Sequence, residues 1–362
     1  MDDRKIRVGI THGDICGVGY EVILKTFAEP TMCDLCIPVL YGSPKTAAFH
    51  RKTLNLPTNF SMVNSPADAQ SGRLNMICCY DEEIKIDFGQ ATEESGKAAM
   101  ISLQRAMEDY KKGEIDVLVT APVNKSCMQG ADSRFVGHTE YLEHEVGEGN
   151  ESLMILMSSI MRVALVTTHV PVKEIASQIT QEKIARKIKI FNQSLKDDFT
   201  ISIPRVAVLS LNPHCGDNGL LGEEEKEIIV PAIEEMREKG IQCFGPFASD
   251  GFFGSGMYTH FDGVLAMYHD QGLTAFKALS GDEGVNFTAG LPLVRTSPDH
   301  GTAYDIAGKG QANENSFRQA VYTAIDVWRN REINKKVYAN PMKIVSQERE
   351  GRGRRGDKEL VE

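Results

Sequence analysis

Long apolar runs are missing from this 362-residue chain. No stretch approaches the roughly 20 consecutive apolar residues of a membrane helix, so no membrane association is expected. The first residues, Met1-Asp2-Asp3-Arg4-Lys5, lead into a short strand-like run instead of the apolar helix of a secretory signal. Excess positive charge is missing too. Lys and Arg number 40 against 50 Asp and Glu, a net charge of −10. That argues against a nucleic-acid partner, which needs a basic face, yet it permits an anionic ligand in a locally positive site. Cysteine is sparse, with eight scattered residues, which reads as reduced thiols in a cytoplasmic protein. Cys33 and Cys36 form a lone C-x-x-C with no second pair at zinc spacing, so they read as small apolar residues entering the strand Ile37–Leu40. No internal repeat is present. The one biased segment, 346–362, carries Arg349, Arg352, Arg354, Arg355 and Lys358 and is expected to be a flexible tail.

What is present is an alternation. Short runs rich in Val, Ile and Leu occur at 6–10, 38–41, 115–120, 163–168, 205–211 and 263–268. They are continuous and not alternating, as in strands covered on both faces. Amphipathic stretches lie between them, at 20–27, 95–112, 181–197, 223–239 and 315–331. Strand–helix alternation of this kind predicts an α/β fold with a mostly parallel sheet. The length suggests about two domains.

Three histidines follow three of those runs directly: His169 after Val163–Thr168, His214 after Val206–Pro213, and His269 after Val264–Tyr268. Open parallel sheets bind ligands outside the carboxyl ends of their strands. Three imidazoles delivered there suit zinc or another divalent transition metal and leave positions for a substrate. Asp270 and Asp217 are placed to fix imidazole tautomers. The rings converge within one subunit or across an interface, or else each is a separate loop residue.

The glycine-rich turn Gly13–Gly19 follows the first run and opens a helix, where free N–H groups face anions. Its spacing is not G-x-G-x-x-G. The segment Asp299–Gly310, reading Asp-His-Gly-Thr-Ala-Tyr-Asp-Ile-Ala-Gly-Lys-Gly, resembles the adenosine-binding loop of isopropylmalate and isocitrate dehydrogenases, with Tyr304 in place of a proline. That likeness implies cofactor contacts at His300, Gly301, Asp305 and Ile306. It makes Asp305 an acceptor for the adenosine ribose, which favours NAD over NADP. Glu21 stands where that superfamily's first turn has its glutamate. Further on, Lys277, Asn286 and Arg295 form a series of two cations and an amide able to hold a phosphate or carboxylate. Gly137-His138-Thr139-Glu140 adds a polar cluster in which Thr139 also reads as the cap of a helix beginning near Glu140.

The motifs at 137–140, 168–169, 211–214, 268–272 and 284–310 together resemble the 4-hydroxythreonine-4-phosphate dehydrogenase family of vitamin B6 biosynthesis, over residues 6 to 331. The resemblance implies an isocitrate/isopropylmalate dehydrogenase-like fold of two α/β/α domains. It places metal ligands at His169, His214 and His269, and substrate contacts at His138, Thr139, Lys277, Asn286 and Arg295. It also implies a homodimer with its active site at the subunit interface and metal ligands shared between subunits. One domain is expected from 1–128 plus 291–345, carrying the NAD loop. The other is expected from 129–290.

There are departures from the family pattern. Ile15, Cys16, Val18 and Tyr20 alter the first loop, Cys215 and Asp217 replace Ala and Glu, and Gly251 follows Asp250 in place of Thr. Every implied metal and substrate position is intact. The expected reaction is NAD-dependent oxidation of a small phosphorylated substrate, 4-phosphohydroxy-L-threonine, at C3. One divalent cation per subunit (Zn, alternatively Mg or Co) would assist, and decarboxylation would follow. The general base is left between a metal-bound water, Lys277 and Asp250. A dehydrogenase of phosphorylated sugar acids or cis-diols, or a metal-dependent phosphohydrolase, are the rival readings.

Overall fold

The continuous apolar runs form strands because both their faces are covered. In the strand Arg7–Thr11, the residues from Val8 to Thr11 are all buried. The computed structural model describes residues 4–131 and 137–340, so the basic tail lies outside the described residues. Within them one sheet holds β1 (Arg7–Thr11), β2 (Ile37–Gly42), β3 (Phe60–Val63), β4 (Leu74–Cys78), β5 (Val117–Thr120) and β6 (Leu153–Met157). It continues with β7 (Arg162–Leu165), β8 (Val206–Leu209), β9 (Cys243–Phe247), β10 (Gly263–Ala266), β11 (Val285–Ala289) and β12 (Val294–Pro298). The order is β3-β4-β2-β1-β5-β12-β11-β6-β7-β10-β8-β9. Neighbours run parallel, except that β12–β11, β11–β6 and β6–β7 are antiparallel. The predicted mostly parallel α/β fold is therefore the fold observed.

The helices follow the expected stripes. Gln181–Asp197 is capped by Thr180, whose side chain accepts from Lys183 N, and it buries Ile184, Ile188, Phe191 and Leu195 on one face. Glu93–Lys111 is capped by Thr92 in the same way. The stretch expected at 223–239 divides into a π-helical turn, Glu225–Ile229, and an α-helix, Val230–Glu238. Pro231 explains the division: it has no N–H to give and its ring crowds the carbonyl four residues back, so the turn before it widens. No helix among the described residues is long and apolar enough to cross a membrane.

All eight thiols are free, and Cys33 and Cys36 are buried. Cys33 lies in the short helix Pro30–Leu35 and Cys36 directly precedes β2, in keeping with the packing role read for them. A second correction concerns Thr139. The helix begins at His138 and Gly137 is its N-cap, with no side-chain cap bond. Thr139 already lies in the first turn, which frees its hydroxyl for the cleft that it lines.

Candidate active site

Three neighbouring strands, β7, β10 and β8, run parallel and end in the three histidines. His169 and His269 come together, with ring centroids 5.9 Å apart. His269 Nδ1 lies 2.8 Å from Asp270 Oδ1, which holds the proton on Nδ1 and leaves Nε2 as a lone-pair donor. His214 sits in the segment Pro213–Gly219, with φ of 52° in the left-handed region, and it does not join the pair. Among the described residues of one chain no three His, Cys, Asp or Glu side chains form a metal-binding group. The donor chemistry of the pair nonetheless fits a divalent cation: two imidazoles, one with its tautomer fixed by a carboxylate.

A cleft of about 440 Å³ opens beside these rings. It is lined by all five residues expected to touch substrate, His138, Thr139, Lys277, Asn286 and Arg295, together with His169, His269, His300 and Gly301. A second cavity of about 630 Å³ adjoins it at Thr139, Glu140 and His169. The smaller one carries the convergent polar groups.

The antiparallel pairing of β11 with β12 makes the floor of the cleft. Its register sets Asn286 opposite Ser297 and Thr288 opposite Arg295. Strand alternation then turns all four side chains to one face. Arg295 is 4% exposed. Its guanidinium donates to Thr120 Oγ1 (2.6 Å from Nη2, 3.1 Å from Nε) and to Thr288 Oγ1 (3.2 Å), and it has no carboxylate partner among the described residues. Burial lowers its pKa to about 10, with Glu140 opposing that shift. His138 Nδ1 stands 3.4 Å from Arg295 Nη2. Burial first, then Arg295 and Lys125, hold this imidazole well below its ordinary pKa, so it is neutral and accepts at Nδ1. Asn286 Oδ1 is buried with no partner. A buried cation without an ion pair, in one cleft with a buried acceptor without a donor, is an arrangement that a ligand completes.

The adenosine-type loop is fastened to the glycine turn. Tyr304 Oη donates to Asp14 Oδ2 at 2.6 Å, Val18 N to Thr302 O at 3.1 Å, and Ala312 N to Glu21 Oε1 at 2.8 Å. Tyr304 thus ties the loop to the turn by a hydrogen bond. Gly13 takes φ of +69°, and a Cβ there would lie 2.3 Å from Pro122 O, so the turn closes on the chain after β5 only without a side chain. The residues that the sequence likeness marked for a dinucleotide keep polar groups free for a ligand. His300 Nε2 is buried without a partner, and Asp305 is exposed, with only its backbone carbonyl engaged, by Lys309.

Asp305 and Ile306 lie on that loop outside the cleft lining, and so do His214 and the exposed Asp250, on the helix Ser249–Gly254. Lys277 reaches the cleft and donates to Asp299 O at 2.9 Å, with Asp299 Oδ2 at 3.4 Å. Sequence reasoning missed Lys125, whose Nζ is 3.1 Å from both ring nitrogens of His169. It also missed Thr120, Ser297 and the tie between Asp299 and Lys277. Lys125 stands five residues past the end of β5, so the strand-end rule that found the histidines would have found it.

Residues 34–324 match the family model described as "Pyridoxal phosphate biosynthetic protein PdxA". A 4-hydroxythreonine-4-phosphate dehydrogenase of Bacteroides thetaiotaomicron is 62% identical over 343 residues, covering 95% of this chain and 94% of that one. The enzyme of the same name from Sulfurihydrogenibium sp. is 40% identical, covering 88% and 98%. The crystal structure of 4-hydroxythreonine-4-phosphate dehydrogenase from Klebsiella pneumoniae superposes with a TM-score of 0.77 at 32% identity, over 91% of this chain and 99% of that one. With the cleft and its unanswered charges in place, these matches show that the chain belongs to the family of the pyridoxal phosphate biosynthetic protein PdxA.

Proposed function

We propose that this protein is an NAD-dependent, metal-assisted dehydrogenase of vitamin B6 biosynthesis. It oxidises the C3 hydroxyl of 4-phosphohydroxy-L-threonine to 2-amino-3-oxo-4-phosphooxybutanoate. That β-keto acid loses carbon dioxide to give 3-amino-2-oxopropyl phosphate. The observation that carries the reading is the buried Arg295 guanidinium, which forms no ion pair with a carboxylate among the described residues, in the same cleft as the partnerless Asn286 Oδ1. A phosphorylated amino acid brings an anion for the first and an N–H or O–H donor for the second. The names of the two relatives above point the same way.

His138, neutral and buried, presents a proton on Nε2 to the bound substrate while its Nδ1 faces Arg295. Lys277, tied to Asp299, links the anion pocket to the cofactor loop. Of the two side chains weighed as general base, Lys277 lines the cleft and Asp250 does not. His169 and His269 would hold a divalent cation, zinc or alternatively magnesium or cobalt, which supplies Lewis acidity to the alcohol when bound. His300, Gly301, Asp305 and Ile306 would hold NAD, which accepts the hydride. Asp305 is the group that disfavours a 2′-phosphate.

A homodimer accommodates the two outliers. His214 and Asp250 follow β8 and β9, on the far side of β10 from the cleft, where a second copy could use them. The strand order supports a division in which 1–128 with 291–345 form one unit and 129–290 the other, since β12 lies beside β5 and β6–β11 stay together. Eight free thiols suit the reducing cytoplasm. The test is NADH absorbance with 4-phosphohydroxy-L-threonine, with and without chelator. Formation of NADH that chelator abolishes is expected. Phosphate release without NADH would make the protein a phosphohydrolase, and equal turnover of an unphosphorylated cis-diol would overturn the substrate.

A further inference from the structure

Lys125 lines the cleft and has no part in the roles assigned above. It opens the helix Lys125–Ala131, and Asn124 Oδ1 caps that helix by accepting from Ser126 N at 3.0 Å and Cys127 N at 3.3 Å. The position is therefore fixed by the backbone, not by a floppy loop. The side chain runs past Gly137, where a Cβ would lie 3.6 Å from Lys125 Cε. Its Nζ stands at the same 3.1 Å from both nitrogens of His169. Equal distances put the ammonium against the ring, not in line with either lone pair, which is a poor hydrogen bond and an easily exchanged one. Among the described residues Lys125 forms no ion pair with any carboxylate.

The charges of the cleft make this lysine matter. Among the described residues three Lys or Arg side chains line it: Arg295, Lys277 and Lys125. Lys277 is answered by Asp299 at 3.4 Å. Arg295 is held by neutral hydroxyls, and Lys125 by a histidine. Neither of these two forms an ion pair among the described residues, though Glu140 in the same lining acts on both, and both act on His138, which Arg295 approaches to 3.4 Å. A dianion is the ligand that draws two cations to one place, and lysine is a point charge suited to phosphate. We propose that Lys125 is the second phosphate anchor of the substrate, closing a pocket with Arg295 and His138. The assignment rests on the phosphorylated substrate proposed above and deepens it.

The experiment compares wild type, Lys125→Met and Lys125→Arg, each checked for folding by circular dichroism. Binding of inorganic phosphate to the chelator-treated enzymes is measured by calorimetry. Steady-state kinetics are run on 4-phosphohydroxy-L-threonine and on 4-hydroxy-L-threonine. Lys125→Met is expected to weaken phosphate binding about 10- to 100-fold, the worth of one hydrogen bond to a charged group. It should raise KM for the phosphorylated substrate by a similar factor, leave the unphosphorylated one unchanged, and be partly rescued by arginine. Wild-type phosphate affinity in a folded Lys125→Met protein overturns the proposal, and so does an equal penalty on both substrates. If wild type does not turn over 4-phosphohydroxy-L-threonine at all, the substrate assignment fails, while the calorimetric comparison still decides the role of Lys125.

Discussion

Replacing Arg295 by methionine should sharply reduce activity without unfolding the protein. Burial carries the guanidinium from an ordinary 12.5 to about 10. At about 1.4 kcal/mol per tenfold, holding the charge in the empty cleft costs on the order of 3 kcal/mol. The hydrogen bonds to Thr120 and Thr288 offset that cost in part, at about 1 kcal/mol net for each hydroxyl. Methionine fills similar space and removes both contributions, so the free protein should be as stable as wild type, or more stable by about 1–2 kcal/mol. In the complex the balance reverses. A desolvated cation lost from a bound oxyanion costs about 2–5 kcal/mol, roughly a 30- to 5,000-fold fall in kcat/KM. Denaturant melts of the free enzyme and steady-state kinetics with 4-phosphohydroxy-L-threonine read the two quantities separately. A folded variant with wild-type kcat/KM would refute the reasoning. So would a variant destabilised by more than about 2 kcal/mol, because the charge would then be a strut of the fold and not a group held for a ligand.

Three further outcomes follow from the same structure. Buried His12 and His50 have pKa values lowered to about 4 and about 3, chiefly by burial. The unfolded chain therefore binds protons that the folded one refuses. Stability should be intact above about pH 6.5 and fall as pH drops toward 4, by about 2 kcal/mol per histidine at pH 5; a melting temperature unchanged between pH 7 and 5 would contradict this. Tyr304→Phe removes the 2.6 Å bond to Asp14 and should raise KM for NAD several-fold, with little change in KM for substrate, in initial-rate kinetics varied in each. Asp305→Asn should weaken NAD binding and narrow the preference for NAD over NADP by about tenfold, measured as the ratio of the two kcat/KM values.

The parallel strands were legible in the sequence because each is a continuous apolar run buried on both faces, as β5 and β8 are. The helices were legible from their stripes, and the bounds 181–197 were met to the residue. Other strands escaped for physical reasons. β3 is short and half-covered at the sheet edge, so it carries little apolar signal. β11 alternates Asn286 and Thr288 with buried apolar residues, so it is not one of the continuous apolar runs by which strands were recognised. Asn286 and Arg295 were picked for their chemistry, while the strand that carries Asn286 went unseen. For His214 and Asp250 no sequence pattern could say whether they reach the cleft of their own chain, because sequence separation carries no information about which side of β10 their loops face.

The antiparallel strands also decide where the site can be. A wholly parallel sheet offers ligands its carboxyl edge, and that rule alone would have gathered His169, His214 and His269 into one place. Three successive antiparallel steps, β12–β11, β11–β6 and β6–β7, reverse the strand direction an odd number of times. The parallel set containing β1, β2 and β5 therefore runs opposite to the set containing β7, β8 and β10. Lys125, which follows β5, still touches His169, which follows β7. The ends of the two opposed sets thus meet over the face of the hairpin between them, where Asn286, Arg295 and Ser297 make the floor. Groups that follow the inner strands, β5, β7 and β10, reach this floor, while His214, after the more distant β8, does not. The order of strands outward from the hairpin, more than the position of a residue at a strand end, determines which side chains one chain can bring to a single substrate.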